Sequence, residues 1–370
     1  MSTSDKASDF VVRLDSPWNG GPPLERLGTP AVTPIPDFFV RNHGDLPVID
    51  PESYRLRIEG EVETPLSLSL ADLRSSFPRI ERTATLQCAG NRREEMAASR
   101  PIPHELGWGS EAIGNACWGG VSLAEVLREA GLGPASLHVE FEGHDETERL
   151  GRRFRYGSSI PIEKATAREV LLAFDMNGQA LPAAHGAPLR AVVPGYIGAR
   201  SVKWLDRIVV RAEPSENYFQ THAYRLFAST VDADSVVWSE GFPLGELAVN
   251  SIITRPGNGD RLTAGPITVR GVSIAGSRRV ERVEVSTDGG RSWQVAQLEA
   301  AEGPWAWTPW FLDLALPPGD HEIVARAWDS AAQTQPERPE HVWNFKGYMN
   351  NAWPRVRIQV GAIRLRTPKT

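Results

Sequence analysis

Apolar and polar residues alternate with the period of a strand in Tyr54-Arg55-Leu56-Arg57-Ile58. Ser67 to Ser69 continues in the same fashion, and Ala71 to Phe77 has room for one or two helical turns. After Ser122 the period changes. Leu123, Val126, Leu127 and Ala130 share one face of a helix, with Ser122 and Glu125 spaced as a capping box. Gly131 stands where a left-handed residue closes a helix. His138 to Phe141 predicts another strand. Leu171–Met176 and Gln179–Leu181, separated by Asn177-Gly178, predict a hairpin with a two-residue turn. Arg190 to Val193, stopped by Pro194-Gly195, and Ile208 to Val210 predict two more strands.

The same reading divides the chain. Pro17, Pro22, Pro23, Pro30, Pro34 and Pro36 remove backbone donors, so residues 1–37 read as an extended arm. Residues 38–244 mix short strands with few helices and end in an irregular connector from 213 onward. From 245 the pattern becomes all-β. Ile267 and Val269 alternate with polar neighbours, Val283 and Val285 lead through Asp288-Gly289-Gly290 to Trp293–Val295, and Ile323 to Trp328 follows. Short strands at this spacing predict a β-sandwich over 245–370. Seven of the 12 tryptophans lie in that part, a composition shift that supports a separate module.

At 370 residues the chain is long enough for two to three domains of about 150 residues each. Lys and Arg number 40 against 46 Asp and Glu, so the net charge of −6 argues against a nucleic-acid or polybasic membrane binder. No apolar run is long enough to cross a bilayer. Two cysteines, Cys88 and Cys117, make neither a disulfide scaffold nor a structural zinc site. The first residues, MSTSDKASDF, carry no apolar leader and no twin-arginine pair. The expected location is the cytoplasm as the chain is written, or the periplasm if a leader was removed.

The segment Thr85-Leu-Gln-Cys88-Ala-Gly-Asn-Arg92-Arg93 sets a thiol beside two cations, which favour the thiolate, a nucleophile or soft metal ligand. A buried packing cysteine is the other reading, and composition leaves both open. Cys117, with no charge close in sequence, reads as a packing residue. Arg152, Arg153, Arg155, Arg190, Arg200 and Lys203 cluster around glycines and prolines, an arrangement suited to an anionic ligand. Phe38-Phe39 beside Arg41-Asn42-His43 reads as a pocket edge. There is no GxGxxG after a strand, no GxxxxGK[ST], no GxSxG, no HExxH and no CxxC, which leaves nucleotide-binding, α/β-hydrolase, zinc-protease and c-haem readings unsupported.

Several segments in order resemble the sulfite oxidase family of molybdenum enzymes. They include Phe38–His43, Leu86–Met96, Gly107-Trp108, Tyr156–Pro161, Asp175–Pro182, His185–Arg190 and Val193–Leu205, with Trp343-Asn344 and Asn351–Trp353 near the C-terminus. The resemblance implies an α+β sulfite-oxidase-type molybdopterin-binding domain followed by an all-β immunoglobulin-like sandwich dimerisation domain. It implies a molybdenum–molybdopterin cofactor with the plain pterin and with Cys88 as the metal's thiolate ligand. Phe39, Val40, Arg41, Asn42, His43, Asp145, His185, Arg190, Arg200, Ser201, Val202 and Lys203 resemble positions that hold the pterin and its phosphate. Arg41, Arg93, Trp108, Tyr224 and Lys346 resemble the substrate pocket. Animal members carry an arginine where Lys346 stands, and lysine lacks its bidentate fork.

The implied reaction is oxidation of sulfite to sulfate by oxygen-atom transfer, in a homodimer. No haem domain precedes residue 38, so the electrons are expected to pass to an external acceptor, oxygen or a cytochrome. The alternative is a molybdopterin-dependent reductase of a sulfoxide or other oxyanion, whose protein-directed members generally lack the β-sandwich. A non-catalytic cofactor-storage protein is a third reading, against which Cys88, Arg93 and Tyr224 stand together. Neither nucleic acid nor membrane is expected as a partner.

Overall fold

A computed structural model describes residues 6–361. Two five-stranded sheets build the body that precedes the sandwich. One runs Gln179–Ala180, Leu171–Met176, Ile113–Ser122, Arg79–Gln87, with Arg190–Val192 also paired to Leu171–Met176. The other runs Leu66–Leu68, Leu56–Gly60, Leu205–Arg211, His138–Arg149, Arg152–Pro161. The period-two reading holds where it was made: Leu56 and Ile58 are buried and Arg57 is exposed. They meet Val139, Phe141, Ile208 and Val210 in one core.

The predicted amphipathic helix forms as Leu123–Ala130 and buries Leu123, Val126, Leu127 and Ala130. Its expected capping box does not form, because the Ser122 side chain makes no cap bond. Ser122 instead ends the Ile113–Ser122 strand opposite Leu171, and the Leu123 N–H is taken by the Val170 carbonyl. A capping box does occur at Ser69 and Asp72, at the head of Leu70–Ser76. The Asn177-Gly178 turn is as expected: Gln179 pairs with Met176, and both turn residues have positive φ, 52° and 73°.

The arm folds onto the body. Val11–Leu14 pairs with Asn19–Gly21, and Gly20 bridges to Val40. Within the connector, Tyr218–Thr221 is a short helix and Arg225–Leu226 pairs with Phe242–Pro243.

The sandwich packs the sheet Asn250–Arg255, Gly265–Ile274, Thr308–Leu316, Gln297–Leu298 on the sheet Arg261–Thr263, Arg355–Gly361, Gly319–Asp329, Val280–Ser286, Gln294–Val295. Val269, Val283, Val285, Trp310, Ile323 and Ala325 fill the space between. Polar and aromatic contacts tie the two parts together. Trp307 donates its backbone N–H to Thr85 Oγ1 at 2.8 Å and its indole N–H to the Ala31 carbonyl at 2.8 Å. Among the described residues no helix is long and apolar enough to cross a membrane.

Candidate active site

The Arg79–Gln87 strand ends at Cys88, which is 6% exposed. The Cys88 N–H is held by the Ala112 carbonyl at 2.9 Å, and the Gly90 N–H donates to Cys88 Sγ at 3.4 Å. The chain then turns through Arg92 at φ 63° into the short helix Arg93–Ser99. That left-handed residue sends the two arginines apart. Arg92 is buried against Glu95, Asn250 and the Ala352 carbonyl. Arg93 folds back over Gly90, where a Cβ would fall 2.5 Å from Arg93 Nη2. Only Arg93 therefore sits beside the loop that carries Cys88.

Cys88 faces a cavity lined from four parts of the chain: Phe38 to His43, Asp145 with Tyr156, His185 with Arg190, and Gly198 to Trp204, with Tyr224 at one side. Arg41, His43, His185, Arg190 and Lys203 face it, and Asp145 is the one carboxylate among its lining residues. Burial pushes Arg190 down to about 9, and holds His185 and Lys203 well below their ordinary values. Neighbouring cations push the same way: Lys6 on His185, Arg190 on Lys203. Such a group of cations is relieved by an anion in the cavity. Burial raises Asp145 to about 6, against the pull of Lys203, and its Oδ1 has no hydrogen-bond partner. That orphaned oxygen can accept from a ligand N–H.

The Arg41–His43–Tyr224 group has a determined polarity. Arg41 Nη2 lies 3.2 Å from His43 Nδ1, and a guanidinium only donates. Nδ1 therefore accepts, and the ring proton sits on Nε2. That N–H donates to the Tyr224 hydroxyl oxygen at 2.6 Å. Burial, then Arg41, holds His43 well below its ordinary value, which keeps it neutral. The Tyr224 O–H is left to donate into the cavity, and burial raises it to about 12. His43 is fixed by stacking on Tyr156, with centroids 5.2 Å apart, and by Phe219 at 4.2 Å.

Of the residues expected at the site, Phe39, Arg41, Asn42, His43, Cys88, Asp145, His185, Arg190, Ser201, Val202, Lys203 and Tyr224 are brought together here. Lys203 Nζ bonds Asn42 Oδ1 and the Ala184 carbonyl, and Ser201 Oγ accepts the Val193 N–H at 3.0 Å. Val40 does not line the cavity; its backbone pairs with Gly20. Arg200 turns away, its guanidinium held by the Leu244 carbonyl and Gln220. Trp108 lies in the apolar layer with Phe38, Phe39 and Cys88, fully buried. Arg93 and Lys346 meet at Glu105 instead of at the cavity wall. Arg153 and Arg155, on the strand Arg152–Pro161, pair with Glu146 and Asp206 outside the cavity, so not every arginine of the expected cluster faces the ligand site.

Sequence reasoning missed Tyr156, Trp204, Lys6 and Glu105. Lys6 Nζ reaches His185 Nε2 at 2.8 Å, a contact between positions too distant in the chain to signal each other.

The comparisons agree with this geometry. The oxidoreductase molybdopterin binding domain matches residues 43–219, and the Mo-co oxidoreductase dimerisation domain matches 242–361. A sulfite oxidase from Gallus gallus is 45% identical over 93% of this chain and 76% of its own. A sulfite oxidase from Arabidopsis thaliana is 38% identical over 96% and 95%. The crystal structure of the sulfane dehydrogenase SoxCD from Paracoccus pantotrophus superposes with a TM-score of 0.78 at 29% identity, covering 91% of this chain and 83% of that one. With a buried thiol facing a cation-lined cavity and matches along nearly its whole length, the chain belongs to the sulfite oxidase family of molybdopterin-dependent oxidoreductases.

Proposed function

We infer that this protein oxidises sulfite to sulfate by oxygen-atom transfer, with a molybdenum–molybdopterin cofactor and an acceptor outside the chain. The observation that carries the reading is Cys88, a buried thiol with a donor on its sulfur, at the wall of a cavity rich in cations. These residues fit the group. A soft metal takes a soft thiolate. A phosphate suits His185, Arg190 and Lys203, and pterin N–H groups suit the orphaned Asp145 oxygen. When bound, the molybdenum supplies the transferred oxygen and takes up the electron pair.

The chain's own residues bind and orient. Arg41 offers positive charge to an entering oxyanion, and the Tyr224 O–H donates beside it, backed by neutral His43. Sulfite and water give sulfate, two protons and two electrons. Oxygen or a separate cytochrome takes those electrons, and the C-terminal sandwich joins two copies.

The test is sulfite-dependent reduction of ferricyanide by the purified protein, with molybdenum quantified on the same sample. Turnover at near-stoichiometric metal is expected. Full metal occupancy without sulfite turnover would remove the substrate assignment. Cys88→Ser should abolish turnover, and near-normal kcat in that variant with the metal retained would remove the ligand assignment.

A further inference from the structure

Arg93 and Lys346, which the family resemblance implies at a substrate anion, share a carboxylate of the chain's own. Lys346 Nζ bonds Glu105 Oε1, and Arg93 Nη2 lies 3.6 Å from Glu105 Oε2. The other Arg93 donors are held by backbone: Nε by the Lys346 carbonyl at 3.0 Å and Nη1 by the Leu106 carbonyl at 2.6 Å. Arg93 Nη2 is thus the donor this arginine keeps for a side-chain partner, and Glu105 has it.

This carboxylate lies behind the cavity wall, close enough to be felt there. Its charge acts on Arg41 and Tyr224, both on the cavity wall. Tyr348 joins the two groups: it stacks on Tyr224 at 5.3 Å, and the Arg93 guanidinium lies 5.2 Å from its ring centre. The Glu105 side chain is 18% exposed, so it is not sealed from solvent.

We propose that Glu105 is an internal competitor for the Arg93–Lys346 pair, one that an oxyanion substrate must displace, and so a specificity-determining residue of this site. The proposal rests on the oxyanion-oxidising reading above. An entering dianion meets the carboxylate's repulsion and must separate it from both cations, whereas a monoanion meets about half that repulsion. Glu105 therefore weakens binding of doubly charged oxyanions most.

The isosteric variant Glu105→Gln removes the charge and keeps the shape. In the holoenzyme its KM for sulfite should fall at least about fivefold, with kcat changing less than KM does. Sulfate affinity, titrated through intrinsic tryptophan fluorescence, should rise by a similar factor, and nitrate affinity by less. A KM and sulfate affinity within about twofold of the parent, or KM and kcat moving together, would overturn the proposal. If Glu105→Gln does not fold, Glu105→Ala removes the same charge and gives the same readouts. Should the parent fail to oxidise sulfite, the functional reading falls, while the sulfate and nitrate titrations still decide the role of Glu105.

Discussion

His43 Nε2 donates to the Tyr224 hydroxyl at 2.6 Å because Arg41 occupies the opposite ring nitrogen at 3.2 Å. The three side chains form a one-way series of donors that ends in the cavity. Tyr224→Phe removes the last donor and leaves the ring in its stack on Tyr348. A lost donor of this kind lowers kcat on the order of 10²-fold. His43→Gln should cost less, because a side-chain amide N–H can still donate to Tyr224. Steady-state kinetics beside a melting curve checks both: a Tyr224→Phe kcat equal to the parent's means that the hydroxyl takes no part.

The same burial makes stability depend on pH. His43 and His185 are held well below their ordinary value by burial, so the unfolded chain binds protons there more readily than the folded one. Their contribution to stability is therefore complete above about pH 6.5 and is lost as pH drops below it, by about 1.4 kcal/mol per unit for each histidine until its folded pKa is reached. Urea midpoints of the cofactor-free protein should fall between pH 7.5 and 5.5. The double variant His43→Gln/His185→Gln should show a shallower slope. Equal slopes in the two proteins would mean that neither histidine is held neutral.

The cavity wall was readable where its parts are contiguous. Phe39 to His43, and His185 with Arg190, are short runs whose backbone carries neighbouring side chains to one surface. Legibility failed where the backbone reverses direction or where contacts are distant. Arg92 and Arg93 look equivalent beside Cys88, yet a left-handed φ at Arg92 sends one away to the buried Ala352 carbonyl and the other over Gly90. Ser122 has the residue type of a helix cap, but strand pairing had already fixed its backbone. Glu105 was invisible because its partner Lys346 is brought to it only by the packing of the C-terminal part.

Lys6 gives the arm a role at the cofactor cavity. Its ammonium donates to the Ile35 carbonyl at 2.8 Å, the Phe38 carbonyl at 2.7 Å and His185 Nε2 at 2.8 Å. An ammonium only donates, so His185 carries its proton on Nδ1. Lys6→Met should release the arm from this wall and lower pterin retention after prolonged dialysis several-fold. Pterin content per chain, with the rate of proteolysis in the arm, reads the effect. Retention and cleavage rates equal to the parent's would confine Lys6 to surface packing.

Gly90 and Gly178 separate a steric demand from a conformational one. At Gly90 a methyl group would stand 2.5 Å from Arg93 Nη2 and 2.8 Å from Nη1, so the guanidinium has to move. That movement disturbs the Arg93 bonds to the Leu106 and Lys346 carbonyls and the loop whose N–H donates to Cys88 Sγ. Gly90→Ala should lower sulfite turnover at least tenfold, while the overpacking costs about 1–3 kcal/mol of stability. At Gly178 nothing lies within 4 Å of the added carbon, and the penalty comes from a φ of 73° alone. Gly178→Ala should cost about 1–2 kcal/mol with turnover unchanged. Denaturant midpoints and kcat measured on both variants distinguish the two causes. If Gly90→Ala lost stability but kept full turnover, the position of Arg93 over Gly90 would have no bearing on the chemistry at Cys88.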